Sequence, residues 1–307
     1  MTIRTLLASS AAALGLLAAT PALADHHGEA SAETAALPSG PEGPALWKVA
    51  DEDTTIYLFG TVHALAPDVV WYDAEIDGAL QSSDTVVTEI LMDPSSQAAM
   101  QQLAMARGMS SDGTALRSLL DEEQKAAYEA GLAGLGIPAQ AFDGFKPWLA
   151  GLTLTMLPLL QQGYDLEAGV DKIILSKAGD KQQGALETAE FQLSIFDGLS
   201  ADKQVEFLMD AVEGMDEAKQ TLDAMVAEWL DGDADGLAAL MNEDLDDDSE
   251  MAEALLYDRN ANWAEWIDER LDQPGTVFIA VGAGHLAGEK SVQDYLAERE
   301  IETTRVQ

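Results

Sequence analysis

The sequence predicts an α/β fold: a central mixed sheet built from both ends of the chain, with a large helical region between them. Apolar runs of strand length, bounded by glycines or polar turns, occur at 45–60, at 84–91 and at 275–281. From about residue 95 to residue 232, apolar residues recur instead at spacings of three and four, which is typical of one face of a helix. Strands therefore flank a helical middle.

The first predicted elements are short, and an acidic turn joins the first two. Residues 45–50 and 55–60 read as two strands joined by the turn Asp51-Glu52-Asp53, which indicates a hairpin. A helix is expected at 73–81, and the following run at 84–91 reads as a buried strand ending in the carboxylate of Glu89.

The elements of the middle and of the C-terminal part are predicted from the same spacing of apolar residues. Helical spacing is clearest at 119–132, 148–160 and 170–178, and 182–186 is predicted as a short strand within this region. A long helix at 251–271 then precedes a strand at 275–281, a helix at 289–298 and a closing strand at 302–306.

The N-terminus has the pattern of a secretory signal peptide. An apolar stretch from Leu6 to Ala19 follows Arg4, and Ala22-Leu23-Ala24 has the small-x-small form of a cleavage site. We expect residues 1–24 to be removed and the mature protein to be periplasmic or secreted, with an uncleaved anchor as the alternative. No later apolar run has the length of a membrane-spanning helix, so no transmembrane segment is expected after cleavage.

Residues 25–44 are small, polar and rich in Ala, Gly, Pro, Ser and Glu, which favours a disordered tail. Its pair His26 and His27 is read as solvent-exposed imidazole. Residues 45–307 are then expected to form a single α/β domain with a helical insertion at about 95–270.

Charge and cysteine content exclude several classes of function. The chain has 16 basic and 55 acidic residues, a formal charge of −39, which makes nucleic acid and anionic membranes poor partners. The acidic residues are spread over nearly every predicted helix, so we interpret them as solvated faces. Cysteine is absent, which excludes disulfides, cysteine nucleophiles and cysteine-ligated zinc.

Two Gly-x-x-His tetrapeptides hold the histidines that lie beyond the N-terminal tail. Gly60-Thr61-Val62-His63 and Gly282-Ala283-Gly284-His285 each end an apolar strand-like run. Ligands of open α/β sheets bind outside the carboxyl ends of the strands, and Glu89 ends a third strand in the same sense. His63, Glu89 and His285 could therefore converge as two imidazoles and one carboxylate, a set that suits a divalent metal. The alternative is that each histidine merely caps a turn.

The motifs taken together resemble the TraB/GumN family, which includes the Tiki proteins. The resemblance runs in order over nearly the whole mature chain and rests on LWK at 46–48, IYLFGTVH at 56–63, Pro67, VVTEI at 86–90, KPW at 146–148, GVD at 169–171, LET at 186–188 with Gln192, RN at 259–260 and GAGHL at 282–286. The paired GxxH motifs with the intervening Glu89 are its most specific part.

By similarity to the Tiki proteins, this resemblance implies a hydrolase of the metallopeptidase type that depends on Mn²⁺, Co²⁺ or Zn²⁺, and the signal peptide adds the expectation of export. By that likeness His63, Glu89 and His285 are the metal-site candidates, and Arg259 is a further site residue. The substrate would be a peptide or another molecule of the cell envelope. Related folds include haem-binding lipoproteins of the ChaN type, so the alternatives are a haem- or metal-binding protein without catalysis and an accessory factor in envelope or polysaccharide processes.

The expected mechanism is metal-assisted hydrolysis. A metal held by His63 and His285 would lower the pKa of bound water, and Glu89 would act as third ligand or as base. Arg259 would stabilise the oxyanion or orient the substrate, unless it forms a salt bridge to an acidic residue. Glu187, at the end of the short strand, is a weaker candidate that would support the ligands and not bind the metal itself, and its alternative role is a carboxylate at a helix N-terminus.

Two other patterns are weaker. Residues 231–236 (DGDADG) imitate the start of an EF-hand loop, but position twelve is Asn242 and not a bidentate glutamate, so a turn between helices is preferred. No Gly-x-Ser-x-Gly motif occurs, which argues against a serine triad.

Overall fold

The fold is described by a computed structural model that covers residues 43–242 and 250–307. The predicted signal peptide and residues 25–42 of the predicted tail lie outside these residues, so both stay predictions.

The central sheet has six strands in the spatial order β4-β3-β5-β2-β1-β6. The strands are β1 Leu46–Ala50, β2 Thr54–Thr61, β3 Thr85–Thr88, β4 Gln182–Ala185, β5 Gly275–Gly282 and β6 Thr304–Arg305. Strand β5 comes from the C-terminal part of the chain but lies between β3 and β2 from the N-terminal part, parallel to both. The prediction of a mixed sheet built from both chain ends is confirmed.

Helices make up most of the described residues outside the sheet. They are α1 Ala74–Ser82, α2 Pro94–Gly108, α3 Glu122–Gly134, α4 Pro147–Gln161, α5 Val170–Ala178, α6 Ala189–Asp197, α7 Ala201–Gly214, α8 Ala218–Leu230, α9 Ala234–Asn242, α10 Glu250–Ala252, α11 Asp258–Leu271 and α12 Val292–Glu298. A π-helical turn, Glu253–Tyr257, joins α10 to α11, and a 3₁₀ turn, Ala283–Leu286, follows β5. Within the two described ranges, no helix is both long and apolar enough to cross a membrane.

Both faces of the sheet are buried, as the alternation along β5 shows. Phe278 and Ala280 point into the larger hydrophobic core, which the helices of the middle region cover. Val277, Ile279 and Val281 point into a second core that contains Trp263 and Ile267 of α11. The packing of α11 on this second face brings its N-terminal end to the edge of the sheet where β5 ends.

Element boundaries differ from the predictions mainly at the ends. Strand β3 ends at Thr88, so Glu89 lies just beyond the strand. Helix α12 begins at Val292 because Ser291 forms a capping box with Asp294. The closing strand is reduced to two exposed residues that pair only with β1. Residues 231–233 form the turn between α8 and α9 that the sequence favoured over a calcium loop.

The sheet topology places four chain segments at one edge. Strands β4, β3, β5 and β2 are mutually parallel, so their carboxyl ends lie side by side. The residues that follow these ends include Glu187 after β4, Glu89 after β3, His285 after β5 and His63 after β2. Every strand of the parallel part therefore delivers one candidate side chain to the same edge.

Candidate active site

The two GxxH turns pack against each other at the end of β2 and β5. Thr61 pairs with Gly282 in the parallel ladder, so the two motifs leave the sheet at the same level. A Cβ added at Gly60 would lie 3.0 Å from both Cα and Cβ of Ala283, which is tighter than ordinary contact. Glycine at position 60 therefore permits the close approach of the two turns.

His63 is held by a carboxylate that arrives from helix α5. Its Nδ1 lies 2.7 Å from Oδ2 of Asp171, and the hydroxyl of Thr61 donates to the other oxygen, Oδ1, at 2.5 Å. Gly169 makes this contact possible, because a Cβ at that position would lie 2.3 Å from the backbone oxygen of His63. The start of α5 therefore packs directly against the backbone of the first GxxH motif.

Asp171 stays ionised in this environment. Burial alone raises the pKa of a carboxyl group, but the charge that His63 carries when protonated and the hydrogen bonds from His63 and Thr61 outweigh burial and hold the pKa of Asp171 below its usual value. An ionised carboxylate that accepts from Nδ1–H of an imidazole fixes the ring orientation and its tautomer.

Glu89 is fixed from three sides. Its Oε1 accepts from the backbone N–H of Gly282 at 2.8 Å, and its Oε2 accepts from Nη2 of Arg259 at 2.6 Å and from Nε2 of Gln192 at 2.9 Å. The same Gln192 nitrogen donates to Oε2 of Glu187 at 3.0 Å. One buried amide therefore ties together the carboxylates that end β3 and β4.

Arg259 is the centre of this buried network. Its Nε and Nη2 donate to Glu187 at 2.8 and 3.0 Å, in the bidentate geometry that a planar guanidinium and a carboxylate favour. Burial alone would lower its pKa, but the charges of Glu89 and Glu187 outweigh burial and raise the pKa of Arg259. Trp263 completes the arrangement by donating from Nε1 to Oε1 of Glu187 at 2.9 Å.

The π-helical turn before α11 supplies one of the acceptors. The backbone N–H of Asp258 bonds the carbonyl of Glu253, five residues back, and the carbonyl of Leu255 accepts from Nη1 of Arg259 at 2.9 Å. Single π turns occur frequently at functional positions of helices. Here the turn presents a backbone oxygen to the buried guanidinium.

His285 is fully buried, with 0% of its surface exposed. Its Nδ1 lies 2.6 Å from Oδ1 of Asn260, and its Nε2 lies 3.1 Å from Nη1 of Arg259. Its ring packs against Trp263 with the ring centroids 4.3 Å apart. Burial, followed by the charges of Arg259 and His63, holds the pKa of His285 well below its usual value, so this imidazole is neutral at neutral pH.

The structure brings most of the predicted site residues into direct contact. Arg259 bridges Glu89 and His285, and Oε1 of Glu89 lies 3.9 Å from Nε2 of His285. His63 belongs to the neighbouring pair with Asp171, at the end of the next parallel strand. Glu187, the weaker candidate from the sequence, is a direct ion-pair partner of Arg259.

A sequence model of the TraB/PrgY/gumN family matches residues 45–305. The chain belongs to this family. No match was found among curated proteins or among solved structures. Membership therefore rests on the family match, which spans the whole described sheet.

Three side chains of this TraB/PrgY/gumN family member are central to the site but were not singled out from the sequence. Asp171, Asn260 and Gln192 appeared only as parts of quoted motifs, although each contacts a predicted site residue. A usable signal existed for Asp171. It stands at the start of a predicted helix, directly after a Gly-Val pair, within the GVD motif on which the family resemblance partly rests.

The donor atoms do not fit a metal ion held by His63, Glu89 and His285 together. Arg259 already occupies the place between Glu89 and His285, and Nε2 of His285 accepts from it. Within the described ranges, no group of three or more His, Asp or Glu side chains is arranged to hold a metal. A three-residue centre would require the guanidinium to leave. Binding of a divalent metal stays a prediction that metal analysis can decide.

Proposed function

We propose that this protein is an exported hydrolase in which His63, oriented by Asp171, acts as the general base. The observation that carries the proposal is the bond of 2.7 Å between Nδ1 of His63 and the buried carboxylate of Asp171. This bond places the proton on Nδ1 and directs the lone pair of Nε2 away from Asp171. An imidazole held in this way by a carboxylate is the usual proton acceptor of hydrolytic enzymes.

The reaction would be attack of water on an amide or ester bond. In the first step His63 takes a proton from the attacking water, and Asp171 stabilises the imidazolium that forms. In the second step the imidazolium returns this proton to the leaving group. Thr61 supports the pair by donating to the second oxygen of Asp171.

The position of the pair supports this role. His63 follows β2 at the carboxyl edge of the parallel strands, which is where ligands of open α/β sheets bind. His63 is 7% exposed, whereas His285 has no exposed surface, so both GxxH histidines are buried and His63 is the less completely buried of the two. A peptide bond is the substrate bond that the likeness to Tiki proteins favours, and the substrate itself would be a peptide or another envelope molecule.

Activity against a panel tests the proposal. The panel would contain chromogenic peptides, amides and esters, assayed with a chelator and separately with added Mn²⁺, Co²⁺ or Zn²⁺. We expect His63→Ala and Asp171→Asn to lower activity by about 10²–10⁴-fold, the size of a general-base contribution. Asp216→Asn, in the turn between α7 and α8 and exposed to solvent, is the matched control and should retain activity.

The results of this panel distinguish between the candidate functions. Activity that persists with a chelator supports proton transfer by His63 alone, whereas activity that requires added metal favours the metal-dependent hydrolase predicted from the family likeness. If no member of the panel is cleaved under any condition, the hydrolase proposal fails. A Soret band on the purified protein would then favour haem binding, and a protein with neither metal nor haem would favour an accessory role.

Export is a separate part of the proposal and has its own test. Cleavage after Ala24 would give a mature chain that begins at Asp25 in the periplasm or the medium. Mass spectrometry of the protein purified from cell fractions should find that N-terminus. Intact Met1 in the mature pool would contradict export by this route.

A further inference from the structure

The protonation state of His285 follows from a single backbone carbonyl. The oxygen of Lys290 lies 2.9 Å from Nδ2 of Asn260, and a carbonyl can only accept a hydrogen bond. The amide nitrogen of Asn260 must therefore face Lys290, which leaves Oδ1 facing the ring of His285 at 2.6 Å. Since Oδ1 also only accepts, the proton of the neutral imidazole sits on Nδ1.

The second ring nitrogen is determined in the same way. Nε2 of His285 lies 3.1 Å from Nη1 of Arg259, and a guanidinium can only donate. The lone pair of Nε2 therefore accepts from Arg259. The adjacent residues Arg259 and Asn260 clamp both nitrogens of the imidazole, so His285 has no lone pair for a metal ion and no second proton to transfer.

Arg259 is saturated as well. Its five N–H groups match five acceptors: both oxygens of Glu187, one oxygen of Glu89, the carbonyl of Leu255 and Nε2 of His285. No N–H is left to stabilise an oxyanion or to bind a substrate. The guanidinium instead fixes the carboxylates that end β3 and β4.

We infer that the two GxxH histidines have different roles: His63 transfers protons, and His285 is a positioning residue that holds Arg259, and through Arg259 the carboxylates of Glu89 and Glu187. Asn260 selects the tautomer of His285 that makes this possible. The inference rests on the proposed function for the role of His63. The role of His285 follows from the hydrogen-bond donors and acceptors around its ring.

Nitrogen NMR of the histidine side chains tests the inference directly. In the full chain labelled with ¹⁵N-histidine at pH 7.5, we expect His285 to show a protonated Nδ1 and an unprotonated Nε2. The signals of His285 and His63 are assigned by their loss in His285→Gln and His63→Gln, and those of His26 and His27 remain in both variants. An Nε2–H tautomer or an imidazolium at His285 would overturn the inference.

Asn260→Ala removes the acceptor at Nδ1 and should change the His285 spectrum to a mixture of tautomers. Asn262→Ala is the matched control, because Asn262 is exposed and stands on the same helix two residues away. It should leave the spectrum unchanged. If Asn260→Ala also leaves the spectrum unchanged, Asn260 does not select the tautomer. Should the variant fail to fold, the wild-type spectrum still decides the state of His285.

Addition of one equivalent of Zn²⁺ to the labelled protein is the last part of the test. We expect no change in the Nε2 signal of His285, because Arg259 occupies its lone pair. A shift of that signal on addition of Zn²⁺ would show a ligand and overturn the inference. These spectra need no substrate, so the inference can fail while hydrolysis is found, and hydrolysis can be absent while His285 has the expected tautomer.

Discussion

Asp171 and His63 are 108 positions apart in the sequence, yet Nδ1 of His63 and Oδ2 of Asp171 lie 2.7 Å apart and both side chains are buried. The contact depends on the start of helix α5, which the backbone N–H of Val170 ties to the carbonyl of Val62 at 2.9 Å. The ring of His63 is therefore positioned by an element from the helical middle of the chain, and not by the strand that carries it.

Asp171→Asn should leave the fold intact but impair proton transfer. Asparagine has the same shape, but it cannot stabilise an imidazolium and can favour the wrong tautomer of His63. We expect the kcat of hydrolysis to fall by about 10²–10⁴-fold, the size of a general-base contribution. Thr61→Val, which removes one hydrogen bond to Asp171, should have a smaller effect in the same assay. An unchanged kcat in Asp171→Asn would remove His63 from the role of base.

Arg259→Gln should destabilise the protein strongly. The substitution leaves Glu89 and Glu187 buried without their common cation, and breaking a buried ion pair in this way costs about 3–5 kcal/mol. Urea unfolding of the purified variant and of the wild type measures the decrease in the free energy of unfolding.

Arg117→Gln is the matched control for this experiment. Arg117 also pairs with two carboxylates, Glu129 and Asp143, but its side chain is 26% exposed. Ion pairs that water can reach contribute about 0–1 kcal/mol. If Arg117→Gln and Arg259→Gln lower the free energy of unfolding by similar amounts, burial is not the reason why Arg259 stabilises the protein.

Much of the fold could be predicted from the sequence, because its strands and helices have clear apolar periods. The GxxH motifs, Glu89 and the topology rule for parallel strands together predicted that these residues lie at one edge of the sheet, and the structure places them there. Glu187 was also found, since it follows a short strand. These predictions needed only local pattern and the general behaviour of α/β sheets.

The partners of the site residues could not be predicted, because they depend on contacts between distant parts of the chain. Asp171 reaches His63 only through the close packing of Gly169 on the backbone of His63. Arg259 was expected to face a substrate, or else to form a salt bridge. Only the packing of α11 on the sheet shows that two buried carboxylates, His285 and the carbonyl of Leu255 use all of its donors.

Gly169→Ala should separate α5 from the first GxxH motif. An added Cβ would lie 2.3 Å from the backbone oxygen of His63, which no relaxation of a side chain can relieve. We expect a loss of about 1–3 kcal/mol, the usual cost of overpacking, and a weaker bond between His63 and Asp171. Thermal unfolding and the ¹⁵N spectrum of His63 report the two effects.

Gly78→Ala is the control for the Gly169→Ala substitution. Gly78 is exposed within α1, and a Cβ there would meet nothing within 4 Å. Alanine should stabilise this helix by about 0.5–1 kcal/mol, because glycine loses more backbone entropy on folding. If Gly169→Ala is tolerated as well as Gly78→Ala, the start of α5 does not press on His63 as the structure shows.

The stability of the protein should fall as the pH drops below about 6.5, and His285 should account for part of this loss. Burial, with the charges of Arg259 and His63, holds the pKa of His285 well below its usual value in the folded state. The unfolded chain then binds a proton that the folded chain excludes, so the free energy of unfolding falls by up to about 1.4 kcal/mol per pH unit below an unfolded pKa of about 6.5. Asp171, whose pKa is lowered, loses its contribution only below about pH 4, outside this window. Urea unfolding between pH 5 and pH 8 should therefore show a shallower slope in His285→Gln than in the wild type. Equal slopes would mean that His285 takes up a proton as readily in the folded chain as in the unfolded one, which the clamp by Arg259 and Asn260 does not allow.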